Sequence, residues 1–168
     1  MTKDYRDMTT AEAGSKTLRP SRKYTHHSLG VTDVQHHPNI PHFLGSVSDD
    51  MTMQIIDVRQ ASTTKASLVG RDGHLDAINS IAFNPSEDVL VATASADNTI
   101  GIWDLRHIKE KVHTLEGHSD AVTALAWHPQ ETGILASASY DRRILFWDIS
   151  RVGLDQEPDD EDDGPPEL

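Results

Sequence analysis

From Val122 the chain reads VTALAWH, apolar residues alternating with small or polar ones until the turn mixture HPQETG. A period of two marks a half-buried strand, and Pro and Gly end it. ILASAS follows as a second strand, bounded by the turn YDRR, and ILFWDI as a third. Upstream the same order recurs as INSIAFN, LVATAS, the turn ADNT and IGIWDL. KVHTLEG (111–117) supplies a fourth strand before the next glycine-histidine pair. No helical period is sustained; AEAGSK is short and interrupted by glycine. The pattern predicts an all-β chain.

The alternation is periodic on a longer scale as well. VTDVQHHPN (31–39), INSIAFNPS (78–86) and VTALAWHPQ (122–130) each begin four residues after a histidine: His27, His74 and His118. A proline stands eleven residues past each histidine (Pro38, Pro85, Pro129), and an aspartate 23 past it (Asp50, Asp97, Asp141). Seven residues later comes another aspartate: Asp57, Asp104 and Asp148. Four-stranded units of 44–47 residues predict a radial array of antiparallel blades.

The recurring polar residues fit one hydrogen-bond chain per unit. A histidine, a hydroxyl, an aspartate and an indole balance donors against acceptors. In the last two units these are His74, Thr93, Asp97 and Trp103, then His118, Ser137, Asp141 and Trp147. The first offers His27, Ser46 and Asp50, but Ile56 stands where the tryptophan would be, so a weaker network is expected there.

Charge and composition narrow the function. The net charge of −12 is uneven: residues 155–168, DQEPDDEDDGPPEL, hold eight of the 27 acids, leaving 19 acids against 15 bases before them. Such an end repels a phosphate backbone and attracts a basic partner, which argues against direct nucleic-acid binding. The absence of cysteine removes disulfides and thiolate zinc sites. His26, His27, His36, His37 and His42 lack a carboxylate at HExxH spacing, so no metal or other cofactor is expected. No apolar run is long enough for a membrane span and no secretory leader is visible, which makes the nucleus or cytoplasm the default. Ser48, Ser95 and Ser139 recur near aspartates and histidines, yet triplication speaks for a scaffold contact and against an enzyme. The basic stretch KTLRPSRKY (16–24) reads as a solvated leader, with nuclear import or partner docking as the other reading.

GHLDAINS through IWDLR, and GHSDAVTA through FWDIS, carry the glycine-histidine and tryptophan-aspartate signature of WD40 propellers, which this chain resembles. THHSLGVTDVQHHP, GSVSDD, FNPSEDVLVATASADNTIGIWDLR, ILASASYDRRILFWDIS and DEDDGPPEL are more particular. Over residues 16–168 the chain is similar to the retinoblastoma-binding, MSI1-like histone chaperones. That resemblance implies a WD40 β-propeller fragment of about three of seven blades. The expected division is a leader (1–21), the outer strand of a missing blade with its connecting turn (22–30), blades at 31–69 and 70–116, an incomplete blade at 117–150, and an acidic loop (151–168). The open faces are expected to make the polypeptide marginal or self-associating.

The resemblance also implies a non-catalytic, nuclear histone-binding scaffold of chromatin assembly and modifying complexes. The first helix of histone H4 would meet Asp159, Asp160, Glu161, Asp162, Asp163, Gly164, Pro165, Pro166 and Leu168. The histone H3 tail would meet a top surface near Asp33, Asp49, Asp76, Asn79, Asp120 and Asp141. Within that surface Asp141 is read as structural and Asp33 as a weak candidate, and Thr32 stands where relatives carry an acid. A generic WD-repeat interaction module, or a truncated product without independent binding, remains the other reading.

Overall fold

Strand alternation becomes eleven strands in the computed structural model, which describes residues 20–151. The first sheet runs β1 (Val31–His36), β2 (Phe43–Ser48), β3 (Met53–Asp57), β4 (Leu68–Gly70), in that order across the sheet. The second repeats it with β5 (Ile78–Phe83), β6 (Leu90–Ser95), β7 (Ile100–Asp104) and β8 (Lys111–Leu115). The third has β9 (Val122–Trp127), β10 (Ile134–Ser139) and β11 (Ile144–Asp148). All pairings are antiparallel meanders, so each sheet is one blade. The chain is an all-β arc of two four-stranded blades and one three-stranded blade.

Local chemistry sets the strand ends. The turn between the second and third strands of each blade places one residue in the left-handed region: Met51 (φ 59), Asn98 (φ 70) and Arg142 (φ 70). These positions are repeat equivalents. Ahead of each, an aspartate side chain accepts the N–H two residues on: Asp50 from Thr52, Asp97 from Thr99, Asp141 from Arg143. β11 stops at Asp148, short of the expected ILFWDI, because the Asp148 carboxylate accepts both the N–H and the hydroxyl of Ser150 and starts a short 3-10 turn at Ile149–Arg151. Residues 22–25 join no strand ladder; Thr25 N–H instead donates to the Thr63 carbonyl, and Arg22 to the Val58 carbonyl.

Two cores lie between blades, one at each junction. Val47, Met53 and Ile55 of the first blade pack against Ile81, Phe83, Val91 and Trp103 of the second. Ala92, Ala94, Ile100 and Ile102 of the second blade pack against Leu125, Trp127, Leu135 and Trp147 of the third. Successive residues of a strand therefore face successive neighbours, as the pleat requires. Gly45 sits where a Cβ would come within 2.7 Å of Ile81 Cδ1 and Phe83 Cζ, so its missing side chain is the room the second blade uses.

Candidate functional site

Each blade closes on one polar knot that ties its second strand and the turn after it to the histidine ahead of its first strand. In the second blade Trp103 Nε1–H donates to Thr93 Oγ1 at 2.7 Å, and the Thr93 hydroxyl meets His74 Nε2 at 2.8 Å. His74 Nδ1 lies 3.0 Å from Asp97 Oδ2. An indole only donates and a carboxylate only accepts, so the two ends of this chain are fixed: the indole gives its N–H to the hydroxyl, and His74 gives Nδ1–H to Asp97. The third blade repeats it with Trp147 Nε1 to Ser137 Oγ at 2.8 Å, Ser137 Oγ to His118 Nε2 at 2.7 Å, and His118 Nδ1 to Asp141 Oδ2 at 2.8 Å.

The first blade reaches the same end by different residues. His27 contacts Ser46 Oγ at 2.9 Å and Asp50 Oδ2 at 3.0 Å. Where Ile56 offers no indole, His26 Nε2 stands 3.0 Å from Ser46 Oγ, and Gln54 Nε2 donates to Thr52 Oγ1 at 3.2 Å. Neither residue was expected from the sequence. The only signal was the doubled histidine of THHS, which reads equally as a metal motif.

The electrostatics follow from burial and hydrogen bonds. Burial alone would raise the Asp97 carboxyl, but the Thr99 hydroxyl, the Leu75 and Thr99 N–H groups and His74 hold it down at about 2. Asp50 and Asp141 are brought to about 2 against the same burial cost, Asp50 mainly by Thr52 and Ser28 and Asp141 mainly by His118 and Arg143. Desolvation lowers the His74 pKa from 6.5, against the opposing pull of Asp97. Both kinds of shift have one sign. The unfolded chain binds more protons than the folded one, below 6.5 through His74 and below 3.8 through the aspartates. Stability is complete above 6.5 and falls as pH drops, first through the histidine window and then as the carboxylates approach 2. The urea midpoint followed from neutral to acid pH is expected to decline in those two stages. A midpoint that rises on acidification contradicts it.

Other recurring side chains are committed elsewhere. Ser48, Ser95 and Ser139 each accept the N–H of the aspartate two residues on, and Ser95 and Ser139 donate to the Ala77 and Asp120 carbonyls. Asp57 and Asp104 hold Arg59 and Arg106 in paired bonds, each with one contact of 2.6 Å. His37 Nδ1 accepts the Asn39 and Ile40 N–H groups, the cap that Asn84 and His128 also form at the ends of their strands. His36 is exposed and His42 rests on Phe43. Among the described residues no three metal-capable side chains converge.

Between blades the inner strands are joined by side chains. Asp33 Oδ2 accepts from Ser80 Oγ at 2.8 Å and from Ile81 N–H at 3.1 Å, and Gln35 Oε1 accepts Phe83 N–H at 2.8 Å. His37 Nε2 meets the Asp88 carbonyl at 2.8 Å, and Asn39 donates to the Pro85 carbonyl at 2.9 Å. Thr32 donates to the Ile78 carbonyl, and its repeat equivalent Asn79 to the Val122 carbonyl at 2.9 Å. Trp127 Nε1 donates to the Ala82 carbonyl at 2.9 Å. Of the expected top-surface residues, Asp33 and Asn79 thus serve junctions. Asp76 and Asp120 each accept the N–H of the following alanine, and Asp49 is exposed. The acidic set Asp159 to Leu168 lies outside the described residues.

The WD domain, G-beta repeat, matches three times, at residues 18–57, 66–104 and 109–148. Among curated proteins, the histone acetyltransferase type B subunit 2 of Neurospora crassa is 65% identical over 162 residues, and that of Gibberella zeae 68% over 162. Both matches take in 96% of this chain but only 36% and 37% of the relative. The RbAp48-related WD40 repeat-containing protein prw1 of Schizosaccharomyces pombe is 54% identical over 144 residues, 84% of this chain and 33% of the relative. The chain therefore spans little more than a third of the length of the curated relatives it matches.

Proposed function

This chain belongs to the WD40 repeat family, and from that premise we propose that it is a non-catalytic, nuclear histone-binding scaffold serving chromatin assembly and modifying complexes. The observation that carries the reading is its identity with proteins named as subunits of a histone acetyltransferase, over a match long enough to take in part of residues 155–168. The geometry supports the non-catalytic half. The histidines, hydroxyls and aspartates that resemble a catalytic inventory occur once per blade and hydrogen-bond one another or the backbone.

The basic face of the first helix of histone H4 meets the carboxylates of Asp159, Asp160, Glu161, Asp162 and Asp163 through charge-assisted bonds. Its apolar side meets Pro165, Pro166 and Leu168, and the prolines lower the ordering cost of that segment. The H3 tail uses the acidic loops of the top surface, where Asp49, Asp76 and Asp120 are exposed.

The test is a salt titration of binding to a peptide of the H4 first helix, comparing the chain with one lacking residues 155–168. Affinity that falls with salt, and drops at least about tenfold on the deletion, is expected for a site built on five carboxylates. Equal affinity of the two chains overturns it.

A further inference from the structure

The outer connection of the second blade, residues 105–110, is shorter than its counterpart at 58–67 in the first. It turns inward: Leu105 and Ile108 are each 8% exposed and join the core between the first two blades. Ile108 reaches β4, where a Cβ at Gly70 would lie 3.4 Å from Ile108 Cγ1. Between this connection and β4 lies a groove of about 550 Å³, inside the range of about 300–1,000 Å³ that ligand sites fill. Leu68 and residues 105–112 line it, which places it at the first junction.

Leu68, Leu105, Ile108 and Val112 supply an apolar lining, and Val112 is 49% exposed. The charged lining is mostly basic: Arg106, Lys109 and Lys111 against the one carboxylate of Glu110. Asp104 already holds Arg106 through Nε and Nη2, which leaves the two lysines. Among the described residues neither makes an ion pair. Lys111 is half-buried, and burial holds its ammonium below the ordinary lysine range against the pull of Asp97 and Glu116. A cation drawn from water with no bonded carboxylate costs free energy that an anionic partner recovers. A bulge in β8 builds this face. Trp103 pairs with Lys111 and Ile102 with His113, so Val112 is the extra residue. In a regular strand Lys111 and Val112 point to opposite faces, yet here both line the groove. Bulges re-aim side chains in this way beside functional sites.

We propose that this groove takes an acidic peptide segment of a partner protein, its aliphatic side chains against Leu68, Ile108 and Val112 and its carboxylates on Lys109 and Lys111. The apolar lining selects such a peptide over a phosphate or nucleic-acid backbone, which has nothing to bury there. The chain as a whole carries −12, so an acidic segment is steered away from most of the surface and toward this patch. The groove is opposite in sign to the acidic histone-binding segments, so one chain can hold a basic and an acidic partner at once.

Fluorescence anisotropy of the 168-residue chain with a labelled peptide, paired leucines between runs of glutamate, tests the groove. Saturable binding that weakens with salt is expected. Lys109→Glu, at an exposed position, is expected to weaken it at least about threefold, and Val112→Glu at least about tenfold. The same peptide carrying a photo-reactive leucine is expected to cross-link to Leu68 or within residues 105–112, a readout that holds even if a variant fails to fold. No binding at about 1 mM peptide overturns the proposal. So does a peptide with alanines for leucines that binds as tightly, since charge alone is then at work. Variants that bind like the parent, or cross-links confined to the basic residues 16–24, overturn it too. Displacement of the peptide by a short DNA duplex would assign the groove to nucleic acid and overturn it as well.

Discussion

Trp103→Ala is expected to lower unfolding free energy by about 3–5 kcal/mol, the range for removing a large aromatic from a packed core. Domains of ordinary stability hold about 5–15 kcal/mol in total, so this one change consumes much of the fold. The reason is where the ring sits. Trp103 is 1% exposed, and Gly73 and Gly101 leave room for it: a Cβ at Gly73 would come within 2.1 Å of Trp103 Cη2, and one at Gly101 within 2.8 Å of Nε1. Nothing nearby collapses readily into the space, because the glycines have no side chains to move. Trp103→Phe separates the two contributions. It keeps most of the apolar volume and loses only the indole donor to Thr93, at a cost of about 1–2 kcal/mol. Urea denaturation of the three chains measures both. If Trp103→Phe is as damaging as Trp103→Ala, the hydrogen bond, and not the packing, dominates the knot.

Asp97→Ala comes next, with an expected loss of about 2–3 kcal/mol. The carboxylate accepts from the Leu75 and Thr99 N–H groups, the Thr99 hydroxyl and His74 Nδ1, and its side chain is only 8% exposed. Alanine strands those donors. The pH response distinguishes this loss from simple repacking. With the carboxylate gone, the acid branch that depends on a group held at about 2 shrinks, while the branch below 6.5 from the desolvated His74 loses the opposing pull of Asp97 and extends to lower pH. A variant with the parent's full acid branch would show that Asp97 is not a source of it. Asp97→Asn keeps one acceptor oxygen and is expected to fall between the two.

Much of this was legible in the sequence because blades are built from strict offsets. Strand alternation located the elements, and the histidine, hydroxyl, aspartate and tryptophan stood at spacings that only a repeated contact explains. What escaped has a physical cause in each case. Asp33 and Gln35 sit where the other inner strands carry Ser80, Ala82, Ala124 and Ala126, so they read as surface residues of a half-exposed strand. They are acceptors for N–H groups 48 residues away, and no local pattern marks such a partner. His26 replaces an indole from a different strand, which makes it invisible to an alignment of the repeats against one another. ILFW in the third blade reads as a core strand. The pattern encodes that a face is apolar, not what covers it: among the described residues Ile144 and Phe146 are exposed.

The junctions between blades are not equal. Thr32, Asp33, Gln35, His37 and Asn39 all reach from the first blade into the second, whereas among the described residues Asn79 and Trp127 carry the side-chain hydrogen bonds between the second and third. The first two blades are therefore clasped by polar side chains along the inner strands. The third is attached to the second largely by apolar contact. The seam between β5 and β9 is thus the less polar of the two.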